Sequence, residues 1–382
     1  MRNKEEIRLQ RVVMALCPSL LFAVFSFLFV AKSQSVLLEL LYDEVATGKL
    51  QYNAYIVGGV ISVALTIFAL WLNKFTGFKR EWTAFSFMPS ALILAFITDI
   101  DRSLYTGEYD YFKWIIVLAI GVFAYAAFSF VLRRILFAKI KNVAMSANRI
   151  IWRNLVLFVI LFSLVGFLSN GEENFRREAL VASYYKKGDS DNALKVGYLS
   201  NVASHSLTVQ RAYILAKGGM LGERLFEYPQ YYGADGLIPA KEQVSPLVPD
   251  SVYALLGASP LQGEEALDVF KRALKNDNVS PAAKDYYLSA LLLDRKIVEF
   301  TDNVKTLYPD TETANLPKHY QEALLLYSSI NGDSVQASAA MQEQFNAFKA
   351  LEAEHEDIFV RGNYLRRHFG RTYWWYFLYG NI

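Results

Sequence analysis

The sequence predicts an all-α protein in two parts, a polytopic membrane helix bundle of about five spans over 1–170 and an exported helical-hairpin domain over 171–382. Three observations predict it. Five long runs in the first part carry no charged residue, apolar residues in the second part recur at helical spacing, and charge divides between the parts. Residues 1–170 hold 17 basic and 10 acidic side chains, whereas 171–382 hold 22 and 27. A 53% hydrophobic composition with only 20% charged residues is more apolar than a soluble chain needs, so lipid is part of the solvent. The net charge of +2 gives no electrostatic footprint for a nucleic-acid partner. Cys17, the single cysteine, excludes an intrachain disulfide and any cysteine-based metal centre.

A bilayer core of about 30 Å requires roughly 20 apolar residues in helix. The runs are Val12–Ala31, Ala54–Asn73, Thr83–Thr98, Trp114–Leu132 and Asn154–Ser169. The third and fifth are short and rely on flanking residues to complete the span. The first reads as a permanent anchor, because its apolar core is longer than a cleaved signal's and Phe29 stands where cleavage needs a small residue. Pro18 and Pro89 are candidate kinks, and Gly58, Gly59, Gly121 and Gly166 permit close helix contact.

Orientation follows the basic loops. Arg2, Lys4, Arg8 and Arg11 precede the first run. Lys74, Lys79 and Arg80 follow the second. Arg133, Arg134, Lys139, Lys141, Arg149 and Arg153 follow the fourth. The alternate loops hold only Lys32, Lys49, Arg102 and Lys113. The N-terminus is therefore expected in the cytoplasm and the second domain in the periplasm of a bacterial inner membrane. Ile135, Leu136, Ile140, Val143 and Ile150 make the 133–153 loop either a candidate amphipathic helix on the anionic leaflet or a plain topology determinant.

In the second part, Phe175, Ala179, Ala182 and Tyr185 share one helical face before a Lys187-Gly188-Asp189 turn, and Ala193, Leu194 and Leu199 share the next. A further pair spans about 207–226 around Lys217-Gly218-Gly219. Later helices run over 264–275, 281–293, 296–307, 317–330 and 334–352, with Pro281 and Pro317 at helix starts. Between Tyr228 and Gly263 the periodicity breaks and five prolines gather. Tyr228, Tyr231, Tyr232, Tyr253 and Leu237 let this stretch pack as an ordered arm across the repeats, the alternatives being a candidate partner-binding arm and disorder. The C-terminal segment, 364–382, joins Arg366, Arg367 and Arg371 to Trp374 and Trp375. These five are candidates for contact with a membrane headgroup or another anionic ligand, or else the rings close the helical core.

No paired histidines at metal-ligand spacing, phosphate loop or nucleophile elbow stands in the sequence, so it offers no catalytic, cofactor or metal residues. The acidic stretch Glu352–Asp357 reads as a solvated helix end.

The stretch 178–194, with Ala179, Tyr185, Gly188 and Ala193, resembles the tetratricopeptide repeat, as does Tyr320–Tyr327 followed by Asn331-Gly332-Asp333. The resemblance implies stacked hairpins with a concave face for a partner. Leu316–Ala323 and Phe369–Tyr376, together with the five runs, resemble an uncharacterised family of Bacteroidota inner-membrane proteins, which implies a cell-envelope location and no particular reaction. The expected function is a membrane-anchored periplasmic scaffold with membrane lipids and an envelope protein as partners. The alternative is a membrane enzyme or carrier for a lipid or glycan intermediate.

Overall fold

A computed structural model describes residues 16–46, 51–78, 80–106, 109–132, 134, 147–169, 171–240, 249–275, 280–309, 311–332 and 337–380. The N-terminal basic tail, most of the 133–153 loop and Pro246 of the arm lie outside the described residues. Among the described residues every regular element is helical, and the chain divides into two compact units, Met1–Ala179 and Leu180–Ile382.

The first unit contains α1 (Leu16–Ser33), α2 (Ser35–Ala46), α3 (Ala54–Thr76), a 3-10 helix (Arg80–Phe87), α4 (Met88–Thr98), α5 (Ser103–Thr106), α6 (Tyr111–Val131) and α7 (Ala147–Leu168). Four of these, α1, α3, α6 and α7, are long and apolar enough to cross a bilayer. Their outward faces expose Ile56, Val60, Ile67, Phe123 and Phe167, side chains that water would disfavour and lipid accepts. The third predicted run differs from the others. It enters as a 3-10 helix and continues as the 11-residue α4, with Pro89 in the first turn of α4 marking the change rather than kinking a helix.

Where lipid offers no hydrogen bonds, small polar side chains bond across helices. The Ser26 hydroxyl donates to Ser62 Oγ at 3.0 Å, Ser62 to the Ala23 carbonyl at 2.7 Å, and Ser90 to the Leu65 carbonyl at 2.9 Å. Asn154 accepts the Ala84 N–H at 2.8 Å and so ties the 3-10 segment to α7. A Cβ on Gly58 would stand 3.0 Å from that of Ala31, and one on Gly121 would stand 2.3 Å from Leu92, so both glycines serve close approach. Gly59 and Gly166 have open space around them and serve no such contact.

Charged groups gather beyond the end of α4. The buried Asp99 carboxylate accepts the Trp114 indole N–H at 2.7 Å and the Lys113 ammonium at 2.9 Å. The Arg102 guanidinium meets both oxygens of the buried Glu178 carboxylate, at 2.7 and 2.8 Å.

The unit boundary falls within α8 (Glu173–Lys186), whose Phe175 and Ala179 belong to the first core and Val181 to the second. The second unit continues with α9 (Ser190–Lys195), α10 (His205–Lys217), α11 (Leu221–Arg224), α12 (Pro249–Leu256), α13 (Ala266–Ala273), α14 (Pro281–Leu293) and α15 (Ile297–Leu307). It closes with α16 (Lys318–Asn331), α17 (Ala339–Ala353), α18 (Ile358–Phe369) and α19 (Tyr373–Tyr379). From α13 onward successive helices pack on one another. Helices α14 and α16 are buried on nearly every face, and polar side chains are buried along with the apolar ones, Asp285 on α14 and His319, Gln321 and Glu322 on α16. Leu199, assigned from sequence to a packed face, is instead 85% exposed, since α9 ends at Lys195 and Gly197 at φ 62° turns the chain away.

The described residues of the arm contribute Tyr228, Ile238, Val252 and Leu256 to the second core. A 3-10 turn (Gly233–Leu237) buries Ala234 and Leu237, and the Ala234 N–H donates to Asp294 Oδ1 at 2.8 Å.

Candidate ligand-binding cleft

A cleft of about 550 Å³ opens on the second unit between two walls that are far apart in sequence. One wall comes from the turn after α9 and the start of the arm, with Tyr198, Leu199, Asn201, Glu227, Tyr228 and Tyr231. The other comes from α18 and α19, with Phe359, Arg366, Arg371, Trp375, Tyr376 and Tyr379.

Local chemistry builds each wall. Asp357 caps α18 by accepting the Phe359 and Val360 N–H groups at 2.8 and 2.9 Å. Gly370 is its C-cap, its N–H donating to the Arg366 carbonyl at 3.0 Å where a Cβ would lie 2.4 Å from that oxygen. Thr372 then caps α19 through the Trp375 N–H. The two helices touch at Gly362, whose carbonyl accepts the Trp375 indole N–H at 2.9 Å while the Tyr379 ring lies against its Cα. On the opposite wall the buried Arg211 donates to the Val196 carbonyl at 2.6 Å and lies 4.8 Å over the Tyr228 ring. Tyr228 meets Tyr198 edge to face at 5.6 Å.

Two arginines supply the positive charge at the cleft. The Arg371 guanidinium stacks 4.3 Å over Tyr198, and Arg366 lies 5.4 Å over Trp375 with its Nη2 donating to Asn201 Oδ1 at 3.1 Å. Glu227 is held by Arg224 at 3.0 Å. Burial pushes the phenols of Tyr376 and Tyr379 up to about 12, and it raises Tyr228 as well, so these rings stay neutral at physiological pH. The arrangement offers guanidinium forks and aromatic faces, which suit an anion carried on an apolar or ring-bearing body.

Of the nine residues singled out from sequence, Arg366, Arg371, Trp375, Tyr228 and Tyr231 come together in this cleft. The other four do not. Arg367 is exposed outside it, and Trp374 is fully buried with its indole N–H donating to the Glu322 carbonyl at 2.8 Å, so its ring is core rather than ligand contact. Tyr232 donates to the Ala203 carbonyl at 3.1 Å, which straps down the arm, and Tyr253 donates to the Pro239 carbonyl at 3.3 Å, a bond within the arm itself. Sequence reasoning missed Tyr198, Asn201, Glu227 and Phe359. Only the exposed aromatic Phe359 beside a helix cap left any local signal. The acidic Glu352–Asp357 stretch has structural work, with Glu352 bonded to Lys349 and Tyr379 and Asp357 capping α18.

Comparison with known proteins is limited to one family. No curated protein and no solved structure matches the chain. Residues 252–380 match DUF6057, a family of unknown function, and this region contains the α18–α19 wall of the cleft, but not the Tyr198–Tyr231 wall.

Proposed function

We propose that the protein is a membrane-anchored scaffold of the bacterial cell envelope, whose tetratricopeptide-like periplasmic unit holds a segment of a partner protein. One observation carries this reading: the cleft concentrates Tyr, Trp and Arg, the residue types that dominate binding energy at protein interfaces, beside exposed Leu199 and Phe359. Periplasmic placement rests on charge. Five crossings keep all three basic loops on one face, whereas four would send the six basic residues between Arg133 and Arg153 across. The length of the third segment is compatible with crossing. Its apolar stretch Trp82–Thr98, six residues of 3-10 helix at ~2.0 Å and eleven of α-helix at ~1.5 Å, reaches about 28 Å, near the thickness of a hydrocarbon core.

Two experiments test it. In a Cys17→Ser background, Val298→Cys should react with a membrane-impermeant maleimide in intact spheroplasts, and protection until lysis would overturn the periplasmic assignment. A photo-crosslinking residue at Leu199 or Phe359 in native membranes should trap one stoichiometric protein that the same residue at Val298 does not. An identical protein pattern at all three positions would sink the scaffold assignment.

A further inference from the structure

We propose that the cleft binds an acidic, apolar-rich peptide segment, with ligand carboxylates on Arg366 and Arg371 and a ligand apolar side chain against Leu199 and Phe359. The proposal deepens the scaffold assignment by naming the partner's chemistry. Among the described residues neither arginine has a carboxylate partner. Each guanidinium instead lies over a ring, Arg366 at 5.4 Å from Trp375 and Arg371 at 4.3 Å from Tyr198, a contact that restrains the long side chain and is compatible with a bidentate acceptor. Holding a long cation in one orientation before binding removes part of the ordering cost that a free arginine would incur.

The apolar side chains stand on both walls. Leu199 is 85% exposed, Tyr231 56% and Phe359 62%, and all three line the cleft. An inorganic anion would use the guanidiniums and leave these uncovered. A chain that alternates acidic and apolar side chains covers both. Glu227 also decides between ligands. Its carboxylate, fixed by Arg224, lines the same cleft and would oppose the uniformly negative surface of an anionic bilayer, while a peptide can present an apolar residue at that point.

The test uses the full-length protein in nanodiscs of zwitterionic lipid and two fluorescein-labelled peptides, one alternating Glu with Leu and Phe, the other with Gln replacing every Glu. Anisotropy should show saturable binding of the acidic peptide only, weakening as salt is added. Arg366→Ala and Arg371→Ala should each weaken it about tenfold, and Phe359→Ala should weaken it too, whereas Arg367→Ala should leave it unchanged. Because all four side chains are exposed, unaltered melting of each variant is expected and separates lost binding from lost fold.

Equal binding of the Gln peptide, or equal weakening by Arg367→Ala, would overturn the proposal as non-specific attraction. Binding of phosphatidylglycerol vesicles through Arg366 and Arg371, with no peptide binding, would overturn it in favour of a lipid headgroup. The two readings fail separately. A partner trapped from Leu199 or Phe359 with no acidic-peptide preference refutes only the peptide chemistry. Specific peptide binding with no protein trapped in membranes refutes only the scaffold role.

Discussion

The carboxylate of Glu322 accepts the backbone N–H of Tyr373 at 2.7 Å, across 51 residues of sequence. The same oxygen meets His319 Nδ1 at 2.8 Å, and His319 Nε2 accepts the Phe226 N–H at 3.2 Å. Because Nε2 is an acceptor there, the ring proton sits on Nδ1 and points at Glu322. One buried pair on α16 thus holds α19 and the Phe226 turn, and both contribute to the cleft.

Glu322→Ala should therefore destabilise the second unit by roughly 3–5 kcal/mol, since it strands the Tyr373 amide and the His319 proton in a dry core. Glu322→Gln keeps an acceptor in place and should cost about 1–3 kcal/mol. Denaturant unfolding followed by tryptophan fluorescence measures both. Equal losses for the two variants would show that charge and shape are not separable here.

Close packing gives a second expectation. A Cβ on Gly222 would stand 2.6 Å from the ring of Tyr320, which is fully buried and cannot swing away. Gly222→Ala should cost about 1–3 kcal/mol, visible as a lowered melting temperature. Unchanged melting would mean that α11 can shift along α16.

Asp285 sets a pH dependence. Burial pushes its carboxyl above the ordinary value of 3.8, although the hydroxyls of Tyr308 and Tyr320 donate to it at 2.7 and 3.0 Å and oppose the shift. A raised acid binds its proton more tightly when folded. Its contribution is therefore full below 3.8 and fades as pH climbs through the raised value. Asp285→Asn keeps an acceptor for both phenols without the ionisation. The melting temperature of this variant relative to the parent should rise between about pH 4 and pH 7, and a fall over that range would contradict the sign.

In the first unit, Arg102→Ala leaves the Glu178 carboxylate buried without its bidentate partner and should cost about 3–5 kcal/mol. Glu178→Ala removes the buried charge itself while Arg102 stays partly exposed, so it should cost less. Thermal unfolding in detergent ranks the two, and the reverse order would place the desolvation burden on the arginine.

Most of the architecture was legible before any contact was known. Charge-free runs announced the long apolar helices, and Gly188, Gly219 and Gly332, all at positive φ, marked turns as the sequence implied. The third run was harder, because a 3-10 stretch and an α-helix share the same apolar composition and differ only in the hydrogen bonds that Asn154 and Pro89 impose. Half of the cleft was legible too. Arginines beside aromatics at the C-terminus and tyrosines in the arm were each visible, but their meeting was not.

What the sequence by itself determined is where the long apolar helices fall, the helical class and the turn positions, since these depend on local composition and period. Tertiary structure alone decided the roles within one motif: Trp374 turns inward to the Glu322 carbonyl while its neighbour Trp375 faces the cleft under Arg366. Successive helix positions point about 100° apart, so adjacent tryptophans of equal hydrophobicity reach different surroundings. Which of the two is buried depends on where α16 and α18 lie, contacts formed by residues many turns away in the chain.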